Sequence, residues 1–165
     1  MNFAELAALG AEAGELLKAR GEKVAVMDGA TGGLVSAALV SVPGATAFFA
    51  SGGVVYSLKG RDVLLDLPRE QLSGMRSVTQ PYALLQARRF RERMGAQWGL
   101  AETGSAGPNT HPFGVESGAS AIAVVGPGVE RAITLHTGLD DRTGNMFAFA
   151  RAALCLLRDV LAEVA

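Results

Sequence analysis

Residues 24–44 read Val24-Ala25-Val26-Met27-Asp28-Gly29-Ala30-Thr31-Gly32-Gly33-Leu34-Val35-Ser36-Ala37-Ala38-Leu39-Val40-Ser41-Val42-Pro43-Gly44. A short apolar run, a glycine-centred turn and a longer apolar run closed by Pro-Gly spell strand, loop and helix. The pattern predicts a buried strand at Val24–Met27 and a helix at Gly32–Val40, with Thr31 as its N-cap and Pro43-Gly44 as its stop. Free amides at such a helix start, with no Cβ atoms in the way, suit a phosphate or carboxylate. The loop is neither G-x-G-x-x-G nor G-x-x-x-x-G-K-[ST], so neither a Rossmann dinucleotide nor ATP is indicated, and no cofactor is assigned.

Outward from this unit the same alternation continues. Phe3, Leu6, Leu9, Ala13, Leu16 and Leu17 recur at helical spacing among Glu5, Glu12 and Glu15, which predicts an amphipathic helix ending near Gly21. Val54-Val55-Tyr56 reads as the next strand and Lys59–Leu65 as a short helix. Thr79 before Pro81 marks a capped start for a helix reaching about Met94. Leu100–Glu102 reads as a third strand running into a second glycine loop, Thr103-Gly104-Ser105-Ala106-Gly107-Pro108. Ala119–Val125 and Ala132–Thr137, joined by Gly126-Pro127-Gly128, form an antiparallel hairpin. The last helix, Thr143–Glu163, carries an apolar stripe at Phe149, Ala153, Leu156, Val160 and Val164. The sum is a single α/β domain over 1–165: three layers, α/β/α, with a mixed sheet ending in a C-terminal antiparallel hairpin.

Composition narrows the function classes. Of 165 residues 49% are apolar and 19% charged, and the net charge is −1, so there is no basic field for nucleic acid. The run Arg88-Arg89-Phe90-Arg91-Glu92-Arg93 is the solvated face of a helix. No apolar run reaches the ~20 residues of a membrane span, and Met1–Arg20 lacks the pattern of a signal peptide. One cysteine, Cys155, leaves no internal disulfide and reads as a packed small residue; the simplest location is cytoplasmic. Low charge with a mean hydropathy of +0.26 points to a homo-oligomer. His111 and His136 stand alone, so no metal site is assigned.

Six blocks in order carry a family resemblance: Asp28-Gly29-Ala30-Thr31-Gly32-Gly33-Leu34, Val42-Pro43-Gly44-Ala45-Thr46, Gly52-Gly53-Val54-Val55-Tyr56-Ser57, Ser77-Val78-Thr79-Gln80, Thr103 to Pro108, and Asp141-Arg142. They resemble E-S-C-T-G-G-L, V-P-G-S-S, G-G-x-V-x-Y-S-N, G-A-V-S-E, T-G-I-A-G-P and G-D-R of the CinA C-terminal domain family, which also occurs alone as nicotinamide mononucleotide deamidase. The resemblance implies the three-layer fold and hydrolysis of the carboxamide of nicotinamide mononucleotide. It also implies a serine nucleophile and a lysine base, and here those positions hold Gly29 and Arg61. Glycine offers no nucleophile, and a guanidinium cannot accept a proton near neutrality. The family's G-P-G-G-G-T-P-E-K-P-V-G stretch keeps its length at Gly107–Gly118 but has lost its run of glycines and its lysine, and it contains His111, a candidate new functional group.

The ligand-binding residues carried over are Asp28, Thr31, Gly32, Gly33, Tyr56, Ser57, Thr103, Gly104, Ser105, Ala106, Gly107 and Arg142, the last as a phosphate contact. Each has a plainer reading: Thr31 as a cap, Tyr56 as strand-end packing, Arg61 as a solvated helix arginine, Arg142 as an ion pair with Asp141. Thr31 and Tyr56 are the only substitutes considered for a catalytic role. Three functions stay open on the residues: a non-catalytic binder of a small phosphorylated ligand such as a nucleotide, an amidohydrolase with a substitute nucleophile or an activated water, and a non-enzymatic oligomerisation or partner-binding module.

Overall fold

The computed structural model describes residues 1–164. Its elements are α1 (Phe3–Arg20), β1 (Val24–Asp28), α2 (Leu34–Val40), β2 (Phe49–Val54), α3 (Leu58–Leu65), α4 (Arg69–Leu72), α5 (Gln80–Met94), β3 (Trp98–Ser105), β4 (Ala119–Gly126), β5 (Val129–His136) and α6 (Arg142–Glu163). The sheet order is β2-β1-β3-β4-β5. β1 lies parallel to both β2 and β3, whereas β4 runs antiparallel to β3 and to β5. This is the mixed three-layer α/β/α arrangement the patterning predicts, hairpin included.

Period-two alternation assigns the two faces of the central strands. Val24, Val26, Trp98, Leu100, Ile122 and Val124 pack beneath α1, α2 and α6. Ala25, Met27, Ala101, Ala121, Ala123 and Val125 pack beneath α3, α4 and α5 with Ala83, Ala87 and Phe90. The second face is built of small residues because α5 comes close: a β-carbon at Gly99 would overlap the Ala87 carbonyl. On the first face Gly10 lies against the Ala38 carbonyl and Gly14 against the Phe48 ring, which lets α1 settle on α2. α1 opens with a capping box between Asn2 and Glu5 (3.1 and 2.7 Å) and closes at Gly21, whose φ is 64°.

Several local boundaries differ from the sequence reading; β5, for one, begins at Val129, three residues before the predicted Ala132. α2 begins at Leu34, with Gly33 as its N-cap at φ 105°, and Thr31 caps nothing. β2 is Phe49–Val54 rather than Val54–Tyr56: pairing with β1 carries the poor strand formers Ser51-Gly52-Gly53. A side chain at Gly52 would strike Ser36, so packing against α2 sets the glycine. β3 extends through Thr103-Gly104-Ser105, because β4 pairs along its whole length; the second glycine loop begins only at Ala106. The four-residue α4 has no periodic signal in the sequence.

The basic run of α5 is tied down rather than simply solvated. Arg88 makes a two-pronged pair with Glu130 on β5 (2.6 and 2.5 Å), and Arg89 donates to the carbonyls of Leu65 and Asp66 at the end of α3. Among the described residues no helix is long and apolar enough to cross a membrane.

Candidate functional site

The connection after β1 leads to β2 on one side, while β3 is reached by crossing the sheet through α3, α4 and α5. Strands β1 and β3 are neighbours, and the crevice beyond their C-terminal ends is where an open α/β sheet accepts ligands. A cavity of about 490 Å³ occupies that place, within the range of small-molecule sites. Gly29, Ala30 and Thr103–Gly107 line it from the two strand ends, Val55–Leu58 from the segment entering α3, Tyr82 and Gln86 from α5, Asn109–Pro112 from the loop after β3, and Arg142 from α6.

The cavity lies on the α5 face of the sheet, which sorts the residues named from sequence. Thr103 and Ser105 alternate with Ala101 toward α5 and line it, together with Tyr56, Ser57, Gly104, Ala106, Gly107 and Arg142. Asp28, Thr31, Gly32 and Gly33 do not line it. Asp28 follows Val24 and Val26 to the opposite face and is fully buried. Its Oδ1 accepts from Thr31 Oγ1 (2.6 Å) and the Val35 amide (3.0 Å), and its Oδ2 from Ser36 Oγ (2.7 Å) and the Ser36 amide (3.2 Å). The aspartate is therefore the anion at the start of α2, and Thr31 holds it there.

A second carboxylate completes the loop. Glu102, which the sequence reading passed over, is 1% exposed; its Oε1 accepts from the amides of Gly29 (3.1 Å) and Thr31 (2.9 Å), and its Oε2 from Ser120 Oγ (2.8 Å). Burial raises its pKa, and these hydrogen bonds oppose the rise. The amides of Gly32 and Leu34 bond within the turn. The amides that the sequence reading offers to a ligand anion are taken by the chain's own carboxyl groups. The signal was a glutamate inside an otherwise apolar central strand.

The second turn is held from α6. Asp141 caps that helix through the Gly144 amide (3.2 Å), which places Arg142 at its first position. Arg142 donates to the Gly107 carbonyl (2.5 Å) and to the Tyr56 hydroxyl (2.8 Å), and among the described residues it makes no ion pair, with Asp141 or any other. One turn on, the fully buried Asn145 donates to the carbonyls of Ala106 (3.0 Å) and Leu139 (2.8 Å) and accepts from Thr137 Oγ1 (2.6 Å). Thr103 Oγ1 accepts from the Val78 amide (3.0 Å), and Ser57 caps α3 through the Gly60 amide (3.0 Å).

Arg61 does not line the cavity; its guanidinium pairs with the adjacent Asp62 at 2.9 Å. His111 does line it. Burial lowers its pKa, and its Nδ1 accepts from the Phe113 amide (3.1 Å), so the neutral ring carries its hydrogen on Nε2. Tyr82, whose phenol is raised by burial, and Gln86 stand one helical turn apart at the buried end. A glutamine on the apolar stripe of α5 was the signal for this pair. Among the described residues no three His, Cys, Asp or Glu side chains gather as metal ligands.

Residues 6–161 match the family model for the CinA C-terminal domain. The chain is similar to a CinA-like protein of Anaeromyxobacter sp. (strain K), with 38% identity over 143 residues, 86% of this chain and 35% of that protein. A CinA-like protein of Parasynechococcus marenigrum is 38% identical over 112 residues, 68% of this chain and 27% of that protein. The chain thus spans about a third or less of the length of these relatives. Among solved structures, the competence damage-inducible protein A of Klebsiella pneumoniae superposes with a TM-score of 0.87 at 25% identity, covering 95% of this chain and 97% of that one. The competence/damage inducible protein CihA of Agrobacterium tumefaciens gives 0.86 at 26% identity, covering 95% of each.

Proposed function

The chain belongs to the CinA C-terminal domain family, and on that footing we propose that it binds a small phosphorylated or carboxylated ligand of pyridine-nucleotide type without the deamidase dyad. The observation that carries this reading is the charge of the cavity. Among the described residues no Asp or Glu lines it, and Arg142 is its one charged wall residue. An arginine unneutralised by any carboxylate attracts a phosphate or carboxylate and can grip it with two parallel hydrogen bonds.

The chemistry points the same way. Gly29 stands at the position of the family's serine, and Arg61, at the position of its lysine, faces Asp62 outside the cavity. Thr31, the hydroxyl nearest in sequence, is fully buried with its proton committed to Asp28. Calorimetric titration with nicotinamide mononucleotide, nicotinic acid mononucleotide and inorganic phosphate tests the binding, and ammonia release from the first tests the loss of chemistry. Saturable binding without turnover is the expected result. Absence of binding by all three, or turnover at roughly 1 per second or faster, overturns the reading.

A further inference from the structure

We propose that Ser105 is a ligand contact: its hydroxyl bonds to a hydroxyl-bearing part of the ligand, the sugar of a sugar phosphate, beside the anion held at Arg142. This deepens the reading of the cavity as a site for a phosphorylated ligand and rests on it. Ser105 is 5% exposed and lines the cavity. Strand alternation from Ala101, which packs beneath α5, through Thr103 sends its side chain to the cavity face. The Ser105 carbonyl accepts from the Gly118 amide at 2.8 Å, but its hydroxyl has no hydrogen-bond partner among the described residues. Two unpartnered side-chain polar atoms are fully enclosed, Gln86 Oε1 and Trp98 Nε1, and Ser105 Oγ is not one of them. The little surface that Ser105 keeps therefore includes its oxygen, and the side chain's direction opens that surface to the cavity.

Its place on β3 indicates what it meets. Gly107, whose carbonyl accepts from Arg142, lies two residues on, within about 7 Å along the chain. Thr103, two residues back, accepts from the Val78 amide (3.0 Å), and its own O–H has no acceptor among the described residues. The stretch Thr103–Gly107 thus presents two uncommitted hydroxyls and then the cation, and among the described residues no carboxylate lines the cavity beside them. A hydroxyl both donates and accepts, so it pairs with another hydroxyl in either direction. A sugar phosphate with its anion at Arg142 brings its hydroxyls over Ser105, whereas an apolar group there would leave the serine oxygen dehydrated and unpaired. In the motif T-G-I-A-G-P, which this stretch resembles, the same place holds an isoleucine, which can make no such bond.

Calorimetric titration of wild type and Ser105→Ala with ribose 5-phosphate and with inorganic phosphate separates the two parts of the ligand. Wild type should bind the sugar phosphate more tightly than phosphate, and Ser105→Ala should weaken the sugar phosphate roughly three- to tenfold while leaving phosphate unchanged. Equal affinity of the two proteins for the sugar phosphate overturns the proposal. So does an equal loss for both probes, which would make the serine part of the anion grip. Unfolding of the ligand-free proteins gives a separate readout. A hydroxyl without an internal partner leaves Tm unchanged when removed, while a fall of about 5 °C or more in Ser105→Ala would show it to be structural and overturn the assignment. If neither probe binds wild type, the anion reading of Arg142 fails by itself, and iodoacetamide labelling of Ser105→Cys in a Cys155→Ala background then decides for Ser105. Reaction of the introduced thiol upholds its place on an open cavity wall, and an unreactive thiol overturns the proposal.

Discussion

The Gly29 amide donates a 3.1 Å hydrogen bond to Glu102 Oε1, and the backbone carbonyl of the same Glu102 fills the space a side chain on Gly29 would need. Gly29 has no left-handed φ that would exclude other residues; the obstacle is the neighbouring strand. The family's serine thus cannot be restored at Gly29 without moving β3 away from β1. Gly29→Ser with Arg61→Lys should therefore lose about 1–3 kcal/mol of stability through overpacking and gain no deamidase activity. Urea unfolding and an ammonia assay check both halves. A stable double variant that hydrolyses nicotinamide mononucleotide would show that the strands yield easily and that only the two side chains were missing.

Glu102 makes stability depend on pH in an unusual direction. Burial raises its pKa in the folded protein above the ordinary carboxylate value, so between the unfolded and folded pKa values the native state holds more protons than the unfolded one. Its contribution is therefore greatest in acid and falls as pH rises through that window. Glu102→Gln keeps an acceptor for the Gly29 and Thr31 amides and can donate to Ser120, whose hydroxyl already lies 3.3 Å from the Thr103 carbonyl. The variant should be as stable as wild type or more so at neutral pH, with a flatter decline from acid to neutral. Chemical denaturation at several pH values decides this; a Glu102→Gln protein less stable at pH 7 than wild type would show that the ionised form is the one the fold needs.

The architecture was legible because strand and helix periods, Thr79 before Pro81 and the Gly126-Pro127-Gly128 hairpin are local signals. Part of the cavity lining was legible where local sequence meets a close approach, as at Gly104–Gly107 and Arg142. The site was not legible where long-range partners decide. Asp28 and Gly29 are adjacent in sequence, but alternation sends the Asp28 side chain to the face opposite the cavity while Gly29 lines it. Whether the loop amides serve a ligand or Glu102 depends on a residue 73 positions from Gly29. Thr31 has the composition of a cap and instead supports Asp28, which faces the helix start from the strand below.

Asn145 is the buried tie between α6 and the turn after β3. Asn145→Ala strands the Ala106 carbonyl and takes the acceptor from the Thr137 hydroxyl, while the Leu139 carbonyl keeps Ser117 Oγ, at a cost of about 1–3 kcal/mol. The loss should show in thermal unfolding and should weaken nucleotide binding as well, since the Ala106–Gly107 turn walls the cavity. Full stability in the variant would mean that other contacts hold the turn.

Four exposed apolar side chains, Val54 (43%), Tyr56 (71%), Leu58 (58%) and Val63 (60%), fall within ten residues running from the end of β2 into α3. Such a surface favours self-association, so light scattering at micromolar concentration should give a mass above the chain's 17.0 kDa. Val63→Lys, which leaves the cavity lining untouched, should lower it. A 17.0 kDa species for wild type would refute this.

Arg142 separates charge from geometry at the cavity mouth. Its guanidinium spans the Gly107 carbonyl and the Tyr56 hydroxyl, and no carboxylate of the described residues pairs with it. Arg142→Ala should weaken binding of a phosphorylated ligand by about 1.5–3 kcal/mol, the range for hydrogen bonds to charged groups. Arg142→Lys keeps the cation but cannot bridge Gly107 and Tyr56 in a planar fork, so its loss should fall between wild type and alanine. The ordering wild type, lysine, alanine in calorimetric affinity, with a steeper salt dependence for wild type than for alanine, identifies a phosphate contact. Equal affinity in all three would reduce Arg142 to a clasp between Gly107 and Tyr56 and move the anion's position elsewhere in the cavity.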